Sequence, residues 1–138
     1  MALIIGYGSP LRTDDALGGL IAQALGGISV GQLTPELAEP ISHTDVVVFI
    51  DASLDGTAGS IHCEKIEPQS NTRLTHSSNP TALLSTAKTL YGFAPPAILI
   101  SVTGASFEYG DVLSPQIQTL LPTIIQQVQA ILQNCDKP

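Results

Sequence analysis

Residues 45–53, DVVVFIDAS, decide how this chain folds. The run from Val46 to Ile50 is apolar without a break and ends on a carboxylate, Asp51. A strand with one wet face alternates polar and apolar residues. An unbroken β-branched and aromatic run suits a strand buried on both faces, as in the centre of a parallel sheet. Outward from this run, strand-like and helix-like segments alternate. Residues 2–8, ALIIGYG, form a short buried strand that ends in a glycine turn. Residues 13–27, TDDALGGLIAQALGG, predict a helix with Leu17, Leu20, Ile21, Ala24 and Leu25 on its apolar face, stopped by Gly26 and Gly27. Residues 28–33, ISVGQL, suit a second strand. Residues 34–40, TPELAEP, suit one helical turn capped by Thr34 and broken at Pro40.

The second half continues the alternation. Residues 60–67, SIHCEKIE, are polar enough for an antiparallel edge strand. A helix follows at 78–92, capped by Ser78 or Asn79 with Pro80 at its start, and then a buried strand at 96–104, PAILISVTG. The last helix, at 113–132, starts at Ser114 and Pro115. Ile117, Leu121, Ile124, Val128 and Ile131 form its buried stripe, and Pro122 should kink it. This order predicts one domain over 1–138. Its fold class is α/β: a three-layer αβα sandwich on a mostly parallel, twisted sheet of about five strands.

Composition narrows the function. At 138 residues the chain can bury a single core. Charged residues make up 12% against a usual share of about 25%, so each one carries information. The net charge is −7, with no basic stripe for nucleic acid and no polybasic membrane patch. No apolar run reaches membrane-spanning length, and the start lacks the basic region of a signal peptide. Cys63 and Cys135 make no disulfide framework and are expected as reduced thiols in the cytoplasm.

Three residues stand out against this background. In such folds ligands bind beyond the carboxyl ends of the strands. Asp14 and Asp15 fall there, at the start of the first helix, and capping explains only one of them. Asp51 closes the central strand at the same end, unless it merely caps the following turn. His76 precedes a helix on the same side; His43 lies at the opposite end and His62 on the polar strand. Together Asp15, Asp51 and His76 offer two oxygens and one nitrogen, a set that suits zinc, nickel or manganese. No G-x-S-x-G nucleophile motif is present, and neither cysteine lies in an activating one. Gly6 and Gly8 suggest a nucleotide-binding turn, but Leu11 replaces the third glycine of that fingerprint.

The motifs GYGSPLRTDDALG (6–18), VVVFIDAS with DGTAGSI (46–61), THSSNPTALL (75–84) and VTGASFEYGDVLSPQI (102–117) occur in one order. In that order the chain resembles the nickel hydrogenase maturation endopeptidases, whose opening signature is Gly-x-Gly-Asn-x-Leu-x-x-Asp-(Asp/Glu)-x-x-Gly. Ser9 stands where that signature has Asn. The resemblance implies an endopeptidase that clips the C-terminal extension from the large-subunit precursor of a nickel–iron hydrogenase, once nickel is inserted. It implies Asp15, Asp51 and His76 as the metal-binding and catalytic residues, with nickel carried by the substrate and zinc or another divalent ion able to substitute. On this reading the protein is an aspartyl-type hydrolase, cytoplasmic and monomeric, whose partner is the precursor. The rival is a non-catalytic nickel-sensing chaperone of the same precursor.

Overall fold

The computed structural model describes residues 2–69 and 79–135. Five strands, β1 (Ala2–Tyr7), β2 (Ile28–Val30), β3 (Val46–Ser53), β4 (Ile61–Ile66) and β5 (Ala97–Thr103), form one sheet in the order β2-β1-β3-β5-β4. All pairings are parallel except β4 with β5, which is antiparallel, as the polar character of 60–67 predicts. Four helices pack against the sheet: α1 (Leu17–Ala24), α2 (Ala38–Ser42), α3 (Pro80–Tyr91) and α4 (Pro115–Cys135). No helix among the described residues is long and apolar enough to cross a membrane.

The central strand is buried on both faces, and its alternation divides the core. Val48 and Ile50 join Ile98, Ile100 and Val102 beneath Leu17 and Ile21 of α1 and Ile117, Ile124 and Val128 of α4. Val47 and Phe49 join Ile5 and Ala97 beneath Ile41 of α2 and Leu83, Leu84 and Ala87 of α3. Side chains of successive strand residues point to opposite faces, so one continuous apolar run supplies both half-cores.

Two local expectations need correction. The buried face of α1 is Leu17, Gly18, Gly19, Ile21 and Ala22, while Leu20 is 39% exposed. The helix lies so close to the sheet that a Cβ on Gly6 would sit 1.9 Å from the Gly18 carbonyl oxygen. Backbone, not large side chains, makes the central contact, and apolar periodicity does not register glycine. Pro40 does not break its helix: a 3-10 turn at Pro35–Leu37 leads straight into α2, which ends at Ser42. Its place in the first turn explains this, because a proline there breaks no intrahelical bond. Asn79 caps α3, its side-chain oxygen accepting from the Ala82 N–H at 2.8 Å. Helix α4 carries Pro122 in its interior, as the sequence places it.

One acid organises the carboxyl end of the sheet. Asp14 is fully buried in a 3-10 turn, Thr13–Ala16. Its Oδ2 accepts from the N–H groups of Ala105 (2.7 Å) and Ser106 (3.1 Å) and from the Ser114 hydroxyl (2.7 Å). Its Oδ1 accepts from the Ser114 N–H at 2.8 Å. Asp14 therefore caps no helix of its own; it ties the loop after β1 to the loop after β5 and to the start of α4. The same two loops meet in a bridge between Arg12 and Gly110, and the Arg12 guanidinium lies 4.5 Å from the centre of the Tyr109 ring.

Burial alone pushes the Asp14 carboxyl up, but the hydrogen bonds from Ser114, Ala105 and Ser106 outweigh it and hold the group below its ordinary range. A depressed folded pKa means stability that is present above the unfolded carboxyl value, about 3.9, and is lost as pH falls through the folded value. Asp14→Ala should cost about 3 kcal/mol or more in denaturant unfolding at pH 7, because several buried donors lose their acceptor. The difference from wild type should shrink on acidification below about pH 4.

Candidate active site at the carboxyl rim of the sheet

The chain leaves β1 through Gly8, whose φ of +141° favours glycine. A Cβ there would lie 2.1 Å from the Asp15 carbonyl oxygen and 3.1 Å from Asp15 Oδ1. This glycine lets the 3-10 turn fold back against the strand end and set Asp15 beside it. Asp15 Oδ2 accepts from the Ser9 N–H at 2.8 Å. Ser9 meets the acid through its backbone, while its hydroxyl accepts from the Leu11 N–H at 3.3 Å.

Asp51 reaches the same rim from β3. It does not cap the turn that follows: Ser53 does, its hydroxyl accepting from the Asp55 N–H at 3.0 Å. The partner of Asp51 is Tyr7, whose hydroxyl donates to Asp51 Oδ2 at 2.9 Å. Tyr7 was not among the sequence candidates. It follows Gly6, the residue registered against Ile50, so the last position of β1 stands level with Asp51. An aromatic between two glycines at a strand end was the available signal, and it reads equally well as packing.

The two acids feel one another. Burial raises the Asp51 carboxyl, the Tyr7 hydrogen bond opposes that rise, and the Asp15 charge adds to it; the net result lies above the ordinary range. Burial and both carboxylates push the Tyr7 phenol upward, so it stays a donor. Each acid has one oxygen, Oδ2, committed to a hydrogen bond, and none is seen on Oδ1 among the described residues. Two half-satisfied carboxylates on separate elements are a donor set suited to a divalent cation.

Of the predicted trio, Asp15 and Asp51 are brought to one rim, and His76 lies outside the described residues. Asp14, the acid beside Asp15, is fully engaged by structural donors. His43 pairs with Glu39 at 3.2 Å on the exposed end of α2. Among the described residues no group of three His, Cys, Asp or Glu side chains stands close enough to hold an ion.

A carboxylate whose folded pKa is raised is less content ionised in the fold than in the unfolded chain, so above that pKa it subtracts from stability. Asp51→Asn should therefore raise the melting temperature at pH 7 in calorimetry, the Tyr7 bond being retained. Carbon-detected NMR of the Asp51 carboxyl should show its pKa moving up in Tyr7→Phe and down in Asp15→Asn.

No protein-family model matches the chain, and no curated protein matches it in sequence. Solved structures do. The hydrogenase maturating endopeptidase HybD of E. coli superposes with a TM-score of 0.74 at 22% identity, covering 98% of this chain and 93% of that one. The [NiFe] hydrogenase maturation protease HycI of Thermococcus kodakarensis gives 0.70 at 24% identity over 96% and 92% of the two chains. The hydrogenase 2 maturation peptidase of a Thaumarchaeota archaeon gives 0.67 at 21% identity over 96% and 97%. At these identities the likeness is one of fold: along nearly its whole length, the chain has the α/β fold of structures named as hydrogenase maturation proteases.

Proposed function

We propose that this protein is an endopeptidase of hydrogenase maturation, which removes the C-terminal extension of a nickel–iron hydrogenase large-subunit precursor after nickel insertion. The observation that carries the reading is the meeting of Asp15 and Asp51 at one rim, each with one oxygen fixed and one uncommitted. It is supported by the order of the sequence motifs and by a fold shared with structures named as such proteases.

The nickel ion belongs to the substrate. Asp15, Asp51 and His76 engage it and so seat the precursor with its tail across the rim. Held there, the ion would supply Lewis-acid chemistry toward a carbonyl or a water, and Asp15 and Asp51 orient it through the hydrogen bonds that fix them. Asp51 has a further role. The Asp51 oxygen not bound to the ion would take a proton from the attacking water and return it to the departing amine, so that hydrolysis balances. Tyr7 keeps Oδ2 occupied and aims Oδ1 outward.

The test is tail release from nickel-loaded and nickel-free precursor, followed by mass spectrometry. Wild type should cut only the loaded form. Asp15→Ala, Asp51→Ala and His76→Ala should each lose about 100-fold or more in rate while remaining folded. Full activity in Asp51→Ala would overturn the site. Tight binding of loaded precursor without any cutting would identify a nickel-sensing chaperone instead.

A further inference from the structure

The sheet register places a second set of polar groups beside Asp51. Asp51 is registered with Ser101 on β5, and Ser101 with His62 on β4. Residues registered across neighbouring strands share a face. Asp51, Ser101 and His62 thus form one row, with Tyr7 closing the row on the other side of Asp51. Ser101 and His62, together with Ser53, line a cavity of about 510 Å³ completed by Asp55, Gly56, Ser60, Ile61 and Thr103. That volume is in the range of a ligand site.

The lining divides into two groups. Some hydroxyls build the wall. The Thr103 hydroxyl donates to the Asp55 carbonyl at 2.7 Å and accepts from the Ser60 hydroxyl at 3.1 Å, and Ser53 caps the Asp55 N–H. The side chains of Ser101, His62 and Asp55 have no partner among the described residues. A carboxylate accepts only, while a hydroxyl and a neutral imidazole do either. Asp55 and His62 are exposed; Asp55 favours an occupant that brings hydrogen-bond donors, N–H groups among them, and an acidic side chain would meet its charge.

We infer that this cavity is the subsite for the substrate segment flanking the scissile bond, taking a residue that bears N–H donors and rejecting an acidic one, with His62 and Asp55 as its specificity residues. The inference rests on the endopeptidase reading. Asp51 stands between two neighbours: Tyr7 holds one of its oxygens, and Ser101, its partner on β5, lines the cavity. A chain segment entering the cavity would pass its next peptide bond over Asp51.

The test uses the full chain, a nickel-loaded hydrogenase large-subunit precursor and a synthetic peptide spanning its tail junction. In cleavage kinetics, His62→Ala and Asp55→Asn should raise KM about tenfold and leave kcat within about twofold, the pattern of lost ground-state contacts. Precursors carrying Glu at single positions beside the junction should include one that wild type cuts poorly and Asp55→Lys cuts well. In nitrogen-edited NMR the peptide should shift the signals of His62, Ser101 and Asp55 in wild type. If wild type cuts the precursor but neither variant changes KM, the subsite is wrong and the function stands. If wild type cuts no precursor, the function fails. The peptide then decides the subsite alone: shifts at these residues support it, and none there overturns it.

Discussion

Four donors converge on one buried carboxylate, and the functional rim depends on that convergence. Asp14 gathers the Ala105 and Ser106 amides and both polar groups of Ser114 into a single acceptor. Loops at the carboxyl ends of strands are ordinarily the mobile part of an α/β domain. Here the first and last of them are bound to each other through a charge that burial would otherwise make costly. The rigidity passes to the next residue. Asp15 follows Asp14 in the same 3-10 turn, so the bonds that anchor Asp14 also position the backbone of Asp15. Two adjacent acids thus divide the labour: one holds the scaffold, and the other faces the site.

The electrostatics of the rim follow from that scaffold. Asp51 sits at the end of a strand buried on both faces, where solvation is poor, and the Asp15 charge lies near enough to raise it further. The Tyr7 hydroxyl offsets part of this cost without removing it. On the proposed function, a divalent ion brought by the substrate would offset the charge of both acids. On that function the protein distinguishes loaded from unloaded substrate, and two carboxylates that each keep one oxygen uncommitted would give that discrimination directly.

Much of this was legible in the residues because the apolar runs are long and the charges few. DVVVFIDAS identifies a central strand and the polar residues of 60–67 identify the antiparallel edge, while the pairing with β5 carries that strand two residues past Asp51, to Ser53. What the residues conceal is whatever depends on register or on backbone contact. Nothing in the spacing of Asp14 and Asp15 tells which turns inward; four distant donors settle it. Leu20 looks as apolar as Leu17, yet Gly18 carries the contact with β3 and turns Leu20 outward. His62 appears as an ordinary edge residue until the pairing of β4 with β5 sets it level with Ser101 and Asp51. Tyr7 gains its role in the same way, from a strand neighbour 44 residues distant in sequence.

The account stands on Asp15, Asp51 and His76 sharing one ion. The direct measurement is anomalous scattering at the nickel edge from crystals soaked in a nickel salt. One strong peak should lie at bonding distance, roughly 2.0–2.2 Å, from a carboxylate oxygen of Asp15, one of Asp51 and a ring nitrogen of His76. A peak held by other residues, or one that leaves out either carboxylate, would contradict it.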